Sequence, residues 1–269
     1  MTEQKNLHPQ RYFGGRDRMW AEAFTLLGNR NYCEDAYGVS RNAGLAVVAD
    51  GGGTPPFALA AAGAAADALL AKVRTTASGP GSDVLRSGFA DASRQVAALV
   101  NSSDEAMGTF VTAAAAIVSD NTITVGWIGN CRCYLFRDGI LQGLTWDQAW
   151  PHRCFIGDTP ALVPVQEPDN YLGQRPEFPT PCRPLSDGSR EPSVEIGEFE
   201  WRPTDMCLLC TDGLVDTLGH SALEGALQAG GSPAQLIARL FEAATSARPR
   251  DNTTVVLMGG PSRPVESPT

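Results

Sequence analysis

Leu45 to Phe57 reads LAVVADGGGTPPF, an apolar run of strand length that ends in one acid, three glycines and two prolines. Leu45–Ala49 has the composition of a buried strand, and Asp50 stands at its carboxyl end, where the chain leaves the core. Gly51, Gly52 and Gly53 allow close backbone approach or positive φ. Thr54 and Pro55 predict an N-cap and a first-turn proline for a helix opening near Phe57. A P-loop is excluded because no Gly-Lys-Ser/Thr ending follows, and Pro56 occupies the place of the third glycine of a dinucleotide fingerprint. What remains is a metal or phosphate site, or a solvated strand-to-helix turn.

Three further stretches place acids at strand ends in the same way. MCLLC (206–210) runs into TDGLVD, with Asp212 and Asp216. RDNTTVVLM puts Asp251 and Asn252 before a strand, and NRNYCEDAYGV puts Glu34 and Asp35 before another. In an antiparallel sheet the end of one strand lies beside the start of the next, so the four stretches are expected to meet at one edge. Crowded carboxylates repel one another unless protonated or paired with cations. Hard oxygen ligands of this kind suit Mg²⁺ or Mn²⁺ rather than zinc or copper.

The remaining strand-like runs are Ala23–Leu27, Phe110–Val118, Thr122–Ile128, Cys133–Phe136, Ile140–Leu144, Met206–Cys210 and Thr253–Met258, with Asp138-Gly139 as a hairpin turn. Helices are predicted over Phe57–Val73, around Leu85–Leu99, over Ser221–Ala229, and over Pro233–Ala244 behind a Ser232 cap. The central strands do not alternate with helices, which argues against a doubly wound parallel sheet. The order fits an α+β, four-layer α-β-β-α sandwich, two central antiparallel sheets flanked by helix pairs. Residues 1–20 read as a loose N-terminal segment, 21–260 as one domain and 261–269 as a C-terminal tail. Within the domain, 150–192 is a Pro-rich, flap-like excursion of a length that is usually functional.

With 21 Lys and Arg against 30 Asp and Glu, the net charge of −9 argues against a nucleic-acid partner held by charge. No stretch has the order of a signal peptide, and no uncharged apolar run is long enough to span a membrane. Seven cysteines without a framework point to reduced thiols in the cytoplasm. Cys207 and Cys210 form a CxxC and Cys131 and Cys133 a CxC, both inside apolar runs, where buried thiols are the expectation and a zinc or redox module the alternative.

The motifs, taken in order, resemble the metal-dependent protein phosphatases (PPM, or type 2C, serine/threonine phosphatases). That family reads Arg-x-x-Asn-Glu-Asp, Asp-Gly-x-Gly-Gly, Gly-Thr, Gly-Asp-Ser-Arg, Leu-Thr-x-Asp, Asp-Gly-x-x-Asp and Asp-Asn. This chain supplies RNYCED, DGGGT, MGTF, GNCRCY, LTWDQ, TDGLVD and DN, covering roughly 24–148 and 194–259. The resemblance implies two Mg²⁺ or Mn²⁺ ions, bridged by Asp50. Glu34 and the Gly51 carbonyl would complete one ion's protein ligands, and Asp212 and Asp251 would hold the other. Asp216, with Asp212, matches a third, looser ion, and Asp104 lies near the place of a further ligand, where a plain loop acid is the competing reading. Arg30 matches the phosphate-binding arginine, a planar fork suited to phosphate oxygens. Asp35, Thr109, Arg132 and Asp147 would support the site, and Asn252 would orient the Asp251 loop.

On that resemblance the chain hydrolyses phosphoserine or phosphothreonine of a protein, opposing a Ser/Thr kinase, by in-line attack of a hydroxide bridging the two metals. The alternative is a catalytically inactive family member that binds a phosphoprotein or partner as a regulator; retention of all four main acids favours activity. Several positions depart from the pattern. Cys33 replaces an asparagine, Gly52 a frequent His or Met, Thr54 a glycine, Asn130 and Cys131 the Asp-Ser pair, and Gln148 a common His. These changes bear on packing around the site and on leaving-group protonation, and they remove no metal ligand.

Overall fold

The computed structural model describes residues 19–75, 79–148, 155–156, 159–160, 182–189 and 191–260. Two five-stranded sheets lie face to face, both antiparallel throughout. The first has β1 (Trp20–Leu26), β12 (Thr253–Gly259), β11 (Met206–Cys210), β6 (Arg132–Arg137) and β7 (Ile140–Gly143), in that spatial order. The second has β10 (Glu195–Glu200), β5 (Thr122–Ile128), β4 (Phe110–Val118), β3 (Leu45–Gly52) and β2 (Asp35–Ser40). A two-residue hairpin pairs β8 (Phe155–Ile156) with β9 (Thr159–Pro160).

Alternation along the strands sorts side chains into three apolar layers. Ala46 and Val48 of β3 join Val125 and Trp127, Cys133 and Leu135, and Leu209 and Val256 between the sheets. Leu45, Val47 and Ala49 point the other way, against α1 (Phe57–Thr75) and α2 (Gly81–Val100). Alanine at six buried positions of α1 and at 113 and 115 of β4 keeps that helix layer close to its sheet. On the outer face of the first sheet, Leu208, Cys210, Val255 and Leu257 pack against α3 (Asp212–Leu218), α4 (His220–Gln228) and α5 (Pro233–Ala247). The helical layers are thus a pair on one side and a trio on the other.

Local sequence accounts for most of the elements. Ser232 caps α5, accepting from the Gln235 amide while Gln235 reaches back to the Ser232 amide, with Pro233 in the first turn. Asp138 and Gly139 both take positive φ, 53° and 82°, as a two-residue hairpin turn requires. The predicted α1 helix does open at Phe57, but it is the Thr54 carbonyl, accepting from the Phe57 and Ala58 amides, that leads into it.

The structure adds elements absent from the sequence reading. β10 emerges from the Pro-rich stretch as an edge strand on β5, and TDGLVD, given no element in the sequence reading, runs into the helix α3. Met19 is buried and Trp20 opens β1, so ordered chain begins ahead of residue 21. Of the excursion 150–192, its far end returns to the core, where Leu185 and Val111 exchange backbone hydrogen bonds of 2.8 and 3.1 Å. Most of the excursion, the first 18 residues and the tail 261–269 lie outside the described residues. No helix among the described residues is long and apolar enough to cross a membrane.

Candidate active site

The acid of LAVVADGGGT owes its position to strand parity. Asp50 shares the face of Ala46 and Val48, so it points into the space between the sheets, at the end where β3 runs out. Asp35 stands directly opposite it on β2. Thr211, at the end of β11, shares the face of Leu209 and donates its hydroxyl to Asp35 Oδ2 at 2.9 Å. That hydroxyl also accepts from the Thr254 amide at 3.0 Å. One threonine thereby ties β11 and β12 of the first sheet to β2 of the second.

Asn252 fastens the next segment. Its Oδ1 accepts from the Glu34 amide at 2.8 Å, and its Nδ2 donates to the carbonyls of Leu27 at 2.8 Å and Tyr32 at 3.0 Å. Asn252 thereby pins the 27–34 loop, with Arg30 and Glu34, to the start of β12. The Glu34 carbonyl accepts from the Gly51 amide at 3.1 Å. A Cβ at Gly51 would stand 2.2 Å from the Ala58 carbonyl oxygen, so only glycine lets the chain pass between the Glu34 loop and α1.

Arg30 donates to Asp251 Oδ2 at 2.5 Å, both side chains nearly half exposed. Asp212 opens α3, and Asn130 donates to its Oδ2 at 2.6 Å. Thr112, opposite Asp50 on β4, donates in turn to Asn130 Oδ1 at 3.3 Å. Asp216 follows Asp212 by one helical turn and so shares its face. Asp104 begins an exposed 3₁₀ turn, Asp104–Ala106, and Thr109 is buried with its hydroxyl unpartnered among the described residues. Arg132 and Asp147 form a two-pronged pair, 2.7 Å at each prong, with side chains only 2% and 3% exposed.

Electrostatics bind the acids into one group. Burial raises the Asp50 carboxyl well above its ordinary range, and the charges of Asp35, Asp212, Asp251 and Glu34 raise it further. Burial brings Asp35 to about 7 against hydrogen bonds from Thr254 and Thr211 that pull it down, with Asp212 and Asp251 adding to the rise. Asp212 is brought to about 6 by burial and then by Asp216 and Asp251. Glu34 and Asp216 are raised too, by burial first, while Arg30 and Arg132 respectively oppose the rise. Glu34 Oε1 is buried without a partner among the described residues. Mutually repelling hard oxygens and an orphaned carboxylate oxygen fit divalent cations. In this arrangement Asp251 is turned onto Arg30 and Asp212 onto Asn130. No three His, Cys, Asp or Glu side chains among the described residues gather tightly enough to hold an ion.

The departures from the family pattern have structural correlates. A Cβ at Gly52 would lie 2.2 Å from Phe110 Cζ, so that ring takes the space of the His or Met often found there. Gln148 is fully buried and accepts from the Gly129 amide at 3.0 Å while donating to the Ser193 carbonyl at 2.6 Å. Cys33 is partly buried, its thiol raised to about 11 by burial and by Asp35, so it is no nucleophile at neutral pH. Cys207 belongs to the layer between the sheets and Cys210 to the outer layer, on opposite faces of β11. The CxxC therefore cannot close on one zinc ion, and the buried-thiol expectation stands. Thr211, Thr112 and Asn130 had no assigned place in the sequence reading of the site; all three lie in or beside motif stretches, but only pairing across sheets reveals their contacts.

A sandwich of two antiparallel sheets between helical layers thus carries a group of carboxylates and an arginine at one end of the seam. Comparison specifies its class. The Protein phosphatase 2C family profile matches residues 27–252, and the chain belongs to that family. It is 31% identical over 153 residues to the serine/threonine protein phosphatase PstP of Mycobacterium tuberculosis, 57% of this chain and 27% of that protein. Against the serine/threonine phosphatase stp of Listeria welshimeri it is 26% identical over 178 residues, 65% of this chain and 66% of the relative. The chain thus spans about a quarter of the mycobacterial relative and just under two thirds of the other. Among solved structures, the PstP catalytic domain in complex with two manganese ions superposes with a TM-score of 0.72 at 25% identity, covering 90% of this chain and 97% of that one. The phosphatase Stp1 of Staphylococcus aureus superposes with a TM-score of 0.73 at 19% identity, covering 94% and 99%, and shows the shared fold.

Proposed function

We propose that this chain is a protein serine/threonine phosphatase that hydrolyses phosphoserine and phosphothreonine with the help of Mg²⁺ or Mn²⁺. The observation that carries the reading is the grouping of Glu34, Asp50, Asp212 and Asp251 at one end of the seam, beside the guanidinium of Arg30, with the carboxyls of Glu34, Asp50 and Asp212 made harder to ionise by burial and by neighbouring acids. Glu34, Asp50 and the Gly51 carbonyl would hold one cation, shared through Asp50 with a second held by Asp212 and Asp251. Asp216, with Asp212, suits a third. Cations held there would supply positive charge and a water of lowered pKa.

The chain's own residues do the positioning. Arg30 leaves Asp251 to fork onto two phosphate oxygens, for which its exposure leaves it free. Thr211 and Asp35 fix the spacing of the two sheets and hence of the acids each contributes, and Asn130 sets the rotamer of Asp212. The substrate is a phosphoprotein, the product of a Ser/Thr kinase. Six free cysteines among the described residues, five of them buried, support a reducing compartment, the cytoplasm. On this reading the phosphatase domain opens with β1, at Trp20, and runs to about residue 260.

The test is hydrolysis of p-nitrophenyl phosphate and of a phosphothreonine peptide in Mn²⁺, Mg²⁺ or EDTA, with Asp212→Asn in parallel. Turnover is expected only with metal, and the substitution is expected to remove it. Folded protein inert with every metal would overturn the reading in favour of a phosphoprotein-binding regulator.

A further inference from the structure

Four large apolar side chains are exposed among the described residues: Tyr32 (63%), Leu59 (44%), Met107 (66%) and Ile140 (48%). Isolated cases are ordinary on a protein surface, but three of these four border one turn. The space a side chain would take at Gly51 is closed by the Ala58 and Glu34 carbonyls, and the space at Gly53 by the Gly108 carbonyl and Thr109 Cα. Leu59 and Met107 are each one residue, and Tyr32 two, from backbone atoms that touch the turn carrying Asp50. Their backbones are anchored while their side chains face solvent. The Tyr32 carbonyl accepts from Asn252, the Met107 amide donates to the Asp104 carbonyl at 3.2 Å, and Leu59 sits in the first turn of α1.

We propose that Tyr32, Leu59 and Met107 form an apolar collar that seats the residues flanking the phosphorylated side chain, so that the favoured substrate is a phosphoprotein segment with bulky apolar neighbours. The proposal rests on the phosphatase reading. In an extended segment residues repeat about every 3.3 Å, so the two neighbours on each side lie within about 7 Å of the phosphorylated residue. With phosphate against Arg30, beside the acids that would hold the cations, those neighbours must cross the rim that the collar occupies. Asp104 and Glu105, exposed beside Met107, put negative charge on the same rim and turn away acidic flanks. Exposed apolar side chains on three segments packed around the turn that carries Asp50, with acids beside one of them, fit an apolar, non-acidic peptide better than an acidic one.

The experiment compares kcat/KM for two phosphothreonine peptides of equal charge, one with Leu and Phe at the flanking positions and one with Ser and Gly. Mn²⁺-dependent p-nitrophenyl phosphate turnover is the control that does not reach the collar. Wild type is expected to favour the apolar peptide about tenfold, the scale that a pocket for apolar groups delivers. Tyr32→Ser, Leu59→Ser and Met107→Ser are each expected to shrink that ratio at unchanged p-nitrophenyl phosphate turnover, and Tyr32→Phe to retain it. Equal kcat/KM for both peptides, with p-nitrophenyl phosphate still hydrolysed, overturns the collar and leaves the phosphatase reading intact. Absence of all turnover overturns both. A dimer by sedimentation that the three substitutions dissociate would assign the patch to a second copy of the chain and overturn the peptide assignment.

Discussion

Asp35→Asn is expected to change how stability depends on pH before any question of catalysis arises. Asp35 is buried, faces Asp50 across the β2–β3 ladder, and holds its proton up to about pH 7, against an ordinary 3.8. A carboxyl whose proton affinity folding raises contributes stability that is complete below its unfolded pKa and is lost as pH climbs through its folded pKa. Each tenfold in proton affinity is worth about 1.4 kcal/mol, so the metal-free protein should lose roughly 4 kcal/mol from this residue between about pH 4 and pH 7. Asparagine carries no such proton, and its Oδ1 can still accept from Thr211. Urea unfolding in EDTA across pH 5 to 8 reads the difference. The wild-type protein should weaken steeply with pH, and the variant should be flatter by about 1.4 kcal/mol per pH unit below pH 7. Mn²⁺ should flatten the wild-type profile, because cations replace the protons that relieve carboxylate repulsion. Parallel slopes for wild type and Asp35→Asn in EDTA would refute the reasoning.

Asp147→Ala takes the two-pronged carboxylate partner away from the buried Arg132 guanidinium and should cost about 3–5 kcal/mol, a fall in Tm on the order of 10 °C by calorimetry. Gly52→Ala drives a Cβ into the Phe110 ring and should cost about 1–3 kcal/mol. Combined with Phe110→Ala the two costs should add to less than their sum, a coupling that urea unfolding of the double-mutant cycle measures. Asn130→Ala removes the donor on Asp212 and should weaken Mn²⁺ binding about tenfold by titration calorimetry, with little change in Tm.

The elements that were legible in the sequence are those whose signal is local. The Asp138-Gly139 hairpin, the Ser232 cap and the apolar runs of β3, β4, β5 and β11 each carry their own chemistry. β10 did not, because EIGEFE is an edge strand of half-buried residues following a Pro-rich stretch. α3 did not either, since seven residues beginning Asp-Gly show a turn signal before a helical period can emerge. The acids were found from their strand-end positions and their convergence from antiparallel geometry. Their supports were not, because Thr211 reaches Asp35 across 176 residues of chain and Asn252 reaches Tyr32 across 220. Spacing in sequence holds no record of which hydroxyl or amide fills the gap between two sheets.

Thr211 has one more consequence. Asp35, Asp50 and Gly51 ride on one sheet, while Asp212 and Asp251 hang from strands of the other. Either sheet could keep every one of its own ladder bonds and yet slide by one residue, about 3.3 Å, against its partner. Such a slip would cost little secondary structure and would pull the acids out of register with each other. The seam therefore works like a vernier, in which alignment of two intact scales is the quantity that counts. A protein of this design can lose its chemistry while circular dichroism still reports a folded chain, and its turnover would be the finest available reading of how its halves are stacked.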